Sequence, residues 1–146
     1  MTEKKILVIG AHSADFVWRA AGTIAMITSQ GGSASVIALS YGERGESGEL
    51  WKEPNQTVEN VKRIRHEEAQ AAAEAVGAEF RCLDLGDYPL HVSDAAMDEL
   101  VGVFQNFQPN IVLTHNPLDP CNPDHPVASQ VVQKARLLSS GAGVAS

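Results

Sequence analysis

Cysteine, positive charge and long apolar runs are all scarce in this chain of 146 residues. Its two cysteines, Cys82 and Cys121, make no disulfide framework and fit a reducing compartment. Lysine and arginine total 11 against 18 aspartates and glutamates, a formal net charge of -7. That balance argues against a nucleic-acid-coating surface and against a basic membrane patch. It leaves room for an anionic substrate, because a few local arginines bind carboxylates inside an acidic protein. The apolar run in MTEKKILVIG spans only about five residues, too short for a signal-peptide core or a membrane span. The expectation is a cytoplasmic protein with no nucleic-acid and no membrane partner. Internal repeats and low-complexity tracts are missing as well.

The apolar fraction of 44% and charged fraction of 20% are those of an ordinary globular domain, and the length suits one domain over 1–138 with a small polar tail over 139–146. Residues 6–9 form a compact apolar run closed by Gly10, which reads as a buried parallel strand. Residues 18–29 show helical spacing and are broken by Gly31-Gly32. Further strands are predicted over 34–39, 80–85 and 111–114. Thr57 caps a helix running to about Val76, with Val61, Ile64, Ala72 and Val76 as its stripe, and Gly77 ends it. Ser93 caps another that turns Met97, Leu100, Val101 and Phe104 inward. Pro126 suits the first turn of a last helix. Strand followed by helix, four times over, predicts an α/β protein: a Rossmann-like, open, mostly parallel sheet with helices on both faces. In such sheets ligands gather beyond the carboxyl ends of the strands, where residues 12–15, 41–47 and 115–125 all fall.

Those three segments hold the reactive side chains. His12 and Asp15 stand three apart just past the first strand, and His125 closes the Asn-Pro-Asp-His run after the fourth. Two imidazoles and one carboxylate make a three-ligand zinc site with an open position. Spacing alone also allows three unrelated polar loop residues.

Ala11-His12-Ser13-Ala14-Asp15, Gly22-Thr23-Ile24, Gly42-Glu43-Arg44-Gly45, Arg65-His66-Glu67-Glu68 and Pro123-Asp124-His125 together resemble the LmbE-like, or PIG-L, zinc deacetylase family, in order and across nearly the whole chain. The resemblance implies Zn²⁺ held by His12, Asp15 and His125. Two departures bear on chemistry. Where the family's deacetylases carry an aspartate as general base this chain has Ala14, and where they carry a histidine that assists the tetrahedral intermediate it has Asn122. General acid–base groups contribute about 10²–10⁴-fold each, so losing both while keeping the ligands points away from amide hydrolysis.

The runs AHSADFVWRA, SYGERGESGELW, GDYPL and NPDHP resemble a narrower branch, the 4-oxalomesaconate hydratases of gallate and protocatechuate breakdown. This implies addition of water to an unsaturated keto tricarboxylate. Glu46 is then the first candidate for the base and Glu43 the second, with solvated loop carboxylates as the plain alternative. Arg44, Arg19, Asn122 and His115 are candidate substrate-binding residues. Arg19 reads equally as an exposed helix residue and His115 as a satisfied strand-end histidine. His115 and Asp119 are also placed to tune the metal. Arg65 and Glu68 read as a supporting pair. Family members run on past the position of residue 146 and add strands, so the sheet edge predicts a homo-oligomer. Two other readings remain: an N-acetylglucosamine-type deacetylase, and an inactive shortened domain.

Overall fold

The computed structural model describes residues 3–143. Four strands form one sheet in the order β3-β2-β1-β4: β1 Lys5–Gly10, β2 Ser33–Ala38, β3 Glu79–Cys82 and β4 Ile111–Leu113. Every pairing is parallel, with Val8 opposite both Val36 and Leu113. The expected α/β architecture is therefore the one that forms.

The pleat decides which helix packs where. Successive side chains of a strand point to opposite faces. Ile6 and Val8 face one side and are covered by α1 (Asp15–Arg19), α2 (Ala21–Ser29) and α3 (Val58–Ala75) through Phe16, Ile24, Ile27, Ala69 and Ala73. Leu7 and Ile9 face the other and meet α4 (Asp94–Phe107) and α5 (Asp124–Ser139) through Leu100, Val101, Phe104, Ala128 and Val132. A strand buried on both faces must be apolar at every position, which is why β1 shows a run instead of alternation. Thr57 and Ser93 accept from Asn60 N and Ala96 N, capping α3 and α4 as predicted.

Three local features differ from the sequence reading. Helix begins at Asp15, ahead of Trp18, because the Asp15 carboxylate reaches back to accept the His12 N–H at 2.7 Å and closes the first turn. It then breaks at Ala20 (φ -134°) before α2. The buried stripe of α3 is Val61, Ala69 and Ala73, with Ile64, Ala72 and Val76 only half-buried, because small residues let the helix approach the sheet. The third strand ends at Cys82 and not Leu85, since left-handed backbone at Asp84 (φ 54°) and Gly86 (φ 80°) bends the chain toward the carboxyl edge. Ser139 still belongs to α5, and residues 144–146 of the expected tail lie outside the described residues. No described helix is long and apolar enough to cross a membrane.

Candidate metal centre

The turn after β1 is stitched to the turn after β2: Ser40 N and Ser40 Oγ both donate to Ala11 O, at 2.9 and 2.8 Å, and Ser13 Oγ donates to Tyr41 O at 2.8 Å. This fixes His12, which is 2% exposed. Asp15 opens α1, and His125 sits in the first turn of α5 beside Asp124. One ligand atom from each of His12, Asp15 and His125 lies within 4.8 Å of the others. His12 Nδ1 is 3.5 Å from Asp15 Oδ2, and His125 Nε2 is 3.6 Å from Asp15 Oδ1.

The nitrogens facing that point, His12 Nδ1 and His125 Nε2, are buried without a hydrogen-bond partner. Unpaired buried polar atoms are costly, so two aimed at one carboxylate need an explanation. The opposite ring nitrogens supply it. His12 Nε2 lies 3.0 Å from Asp124 Oδ2, and His125 Nδ1 lies 2.8 Å from Asp119 Oδ2. Each imidazole can thus donate outward to a carboxylate and present a lone pair inward, the arrangement that orients metal-ligating histidines. Asp124 is held in turn by the N–H groups of Tyr88 (3.0 Å) and Leu90 (2.9 Å). The donor set fits a divalent cation such as zinc.

A second group, His12, Asp87 and Asp124, is also close enough to share an ion. Its carboxylates are already engaged. Asp87 accepts from Arg44 N at 2.9 Å and Gly45 N at 2.6 Å, and Asp124 accepts the bonds just described. We read this group as the brace behind His12.

Charge follows the same geometry. Burial disfavours the His12 cation, but the Asp15 and Asp124 carboxylates outweigh it and lift its pKa to about 9. Burial works against the Asp15 anion too, yet His115 and His12 hold its carboxyl far below the ordinary range. Asp119 is lowered by His125. Asp124 is lowered despite burial by the Leu90 and Tyr88 N–H groups and by His12. In the metal-free protein, His12 adds stability that is full below its ordinary pKa of 6.5 and is lost as pH rises through about 9. Asp15 and Asp124 add stability that is full above their ordinary 3.8 and is lost as pH falls below it. A cation must displace the His12 proton. Metal binding at pH 7 is therefore expected to release about one proton, and affinity to rise up to pH about 9, as calorimetry in buffers of different ionisation enthalpy would show. Affinity independent of pH between 6 and 9 would contradict it.

Around this centre, Glu46 Oε1 accepts from Asn122 Nδ2 at 2.9 Å. Glu43 is buried at 1% exposure and turns to Lys62, with Oε1 3.9 Å from Nζ; burial raises its pKa. Arg44 is exposed, its Nη1 donating to Asp87 O at 3.4 Å. Arg19 is exposed on α1 and lines, with Asp15, His115 and Asp119, a cleft of about 230 Å³ against β4. His115 stacks on His125 at 3.8 Å with Nε2 3.0 Å from Asp15 Oδ2. Arg65 donates to Glu68 and, through Nε at 2.9 Å, to Ser47 Oγ in the loop that carries Glu46. Sequence reasoning gave no part to Asp124, Asp87 or Tyr88. The first sat inside the Pro-Asp-His run and the other two inside GDYPL as visible clues, but nothing in the spacing shows that the segment after β3 crosses to the edge of β1.

Fold and site together define a parallel α/β domain whose carboxyl sheet edge carries a buried His/Asp triad able to hold a metal. Residues 7–136 match the family described as PIG-L, GlcNAc-PI de-N-acetylase, and the chain belongs to that family. It is 46% identical over 97% of its length to a 4-oxalmesaconate hydratase of Pseudomonas putida, covering 55% of that protein. It is 28% identical over 91% of its length to a probable N-acetyl-alpha-D-glucosaminyl L-malate deacetylase 2 of Bacillus cereus, covering 61% of it. Among solved structures, the 4-carboxy-2-hydroxymuconate hydratase of Pseudomonas putida superposes with a TM-score of 0.95 at 46% identity, over 97% of this chain and 59% of that one. An N,N'-diacetylchitobiose deacetylase of Pyrococcus horikoshii shares the fold, with a TM-score of 0.85 at 22% identity over 97% of this chain and 52% of that one. The chain thus spans between half and two thirds of the length of these relatives.

Proposed function

We propose that this chain carries the metal-binding half of a hydratase that adds water to an unsaturated keto tricarboxylate of the 4-oxalomesaconate type, with zinc as the cofactor. The observation that carries the reading is the pairing of Asn122 with Glu46 at 2.9 Å beside a complete His12, Asp15 and His125 set. The position that serves deacetylases as an acid is here an amide that holds a carboxylate, and the position that serves them as a base is Ala14. The 46% identity to a hydratase of Pseudomonas putida supports the same reading.

When bound by His12, Asp15 and His125, the cation would supply Lewis acidity toward a substrate oxygen. Glu46 takes a proton from water as the water oxygen bonds to the far carbon of the C=C bond. The π pair moves onto the conjugated carbonyl. As that carbonyl re-forms, the Glu46 carboxyl returns the proton to the near carbon, so H and OH have been added and the base is restored. Arg44 and Arg19 bind the carboxylates of the substrate through their planar forks. Asp119 and Asp124 keep both imidazoles oriented throughout.

The test is the loss of the conjugated ultraviolet absorbance of 4-oxalomesaconate on adding the zinc-loaded chain, beside an assay for acetate from N-acetylglucosamine conjugates. Hydration without acetate release supports the reading; acetate release without hydration overturns it in favour of a deacetylase.

A further inference from the structure

The segment after β3 does more than connect. Asp87, fully buried, takes the Arg44 and Gly45 N–H groups of the loop that carries Glu46. The next residue, Tyr88, gives its N–H to the same Asp124 Oδ2 that lies 3.0 Å from His12 Nε2. Two consecutive residues therefore tie the Glu46 loop and a metal ligand to one frame.

The Tyr88 ring lies directly on Gly45. A Cβ at Gly45 would stand 2.2, 2.3 and 2.6 Å from three of its ring carbons, so only glycine admits this contact. The ring centroid is 6.2 Å from that of His12. Its hydroxyl lies 3.5 Å from Glu46 Oε1 and 3.3 Å from Asn122 Nδ2. The 3.5 Å contact is at the long end for a hydrogen bond, so ring packing, and not the hydroxyl, holds the tyrosine in place. Glu46 is exposed, and without the Asn122 amide at 2.9 Å and the Tyr88 hydroxyl its carboxylate would turn in solvent, which opposes a reaction that needs a fixed geometry.

We propose that Tyr88 is a positioning residue for Glu46: its ring clamps the loop through Gly45, and its hydroxyl together with the Asn122 amide fixes the direction of the Glu46 carboxylate. This rests on Glu46 being the base.

Tyr88→Phe keeps the clamp and removes the hydroxyl; Gly45→Ala displaces the ring. Each is made in the full zinc-loaded chain and followed by kcat, KM, Tm and the ¹⁵N–¹H resonances of the Asn122 side-chain amide. Tyr88→Phe is expected to lower kcat about threefold, the low end for a single hydrogen bond, with KM, Tm and metal content unchanged and the Asn122 amide shifted. Gly45→Ala is expected to lower kcat further. A Tyr88→Phe protein with unaltered kcat and an unmoved Asn122 amide overturns the proposal while leaving Glu46 as the base. Parallel losses of Tm and kcat in Tyr88→Phe also overturn it, showing a role in folding only. If the wild-type chain hydrates nothing yet Tyr88→Phe still shifts the Asn122 amide, the positioning contact stands and the proposed reaction falls.

Discussion

Glu46→Gln is expected to lower hydration turnover by about 10²–10⁴-fold, the usual contribution of a positioned general base, while leaving zinc content unchanged. The two readouts separate because Glu46 is not among the three residues that converge on the metal position, and its hydrogen bond runs to Asn122. Glutamine is nearly isosteric and still accepts from the Asn122 amide through its carbonyl, so loop geometry is kept and only basicity goes. Loss of metal in this variant would show that Glu46 supports the centre and would remove it from the mechanism. Glu43→Gln provides the contrast. Its carboxyl is buried beside Lys62 and away from the Asn122 amide, so the expected effect falls on stability.

His125→Ala is expected to abolish stoichiometric metal binding and hydration with it. The substitution removes one of two buried lone-pair nitrogens and leaves a site of one imidazole and one carboxylate. Asp124→Asn should act more mildly. It leaves all three ligands but replaces the anion behind His12 Nε2, and altered groups behind metal ligands typically cost about 10–100-fold in affinity. Competition with a zinc chelator measures both variants. Unchanged affinity in Asp124→Asn would show that the His12 tautomer needs no carboxylate behind it.

Much of the fold was legible because local and long-range demands agree. The run that forms β1 is apolar at successive positions since both faces are covered, and Thr57 and Ser93 stand where helices begin. The end of β3 was not legible. Asp84 and Gly86 hold left-handed backbone at φ 54° and 80°, and although both residue types tolerate it, the apolar Leu83 and Leu85 beside them read as strand. The candidate metal ligands were visible as residue types past strand ends. The frame behind them was not: Asp124 meets His12 across 112 positions, and Asp87 reaches Gly45 across 42. Such pairings arise from tertiary packing, which periodicity does not report. The same limit left Glu43 and Glu46 as rivals, because only two residues of loop separate a carboxyl turned to Lys62 from one turned to Asn122.

The central claim is that His12, Asp15 and His125 hold the metal, and anomalous diffraction at the zinc edge from zinc-soaked crystals tests it most directly. The account predicts one strong peak in ligand contact with His12 Nδ1, Asp15 and His125 Nε2, with Asp124 and Asp119 behind the rings. A peak between His12 Nε2, Asp87 and Asp124, or none at a chain loaded with stoichiometric zinc, would contradict it.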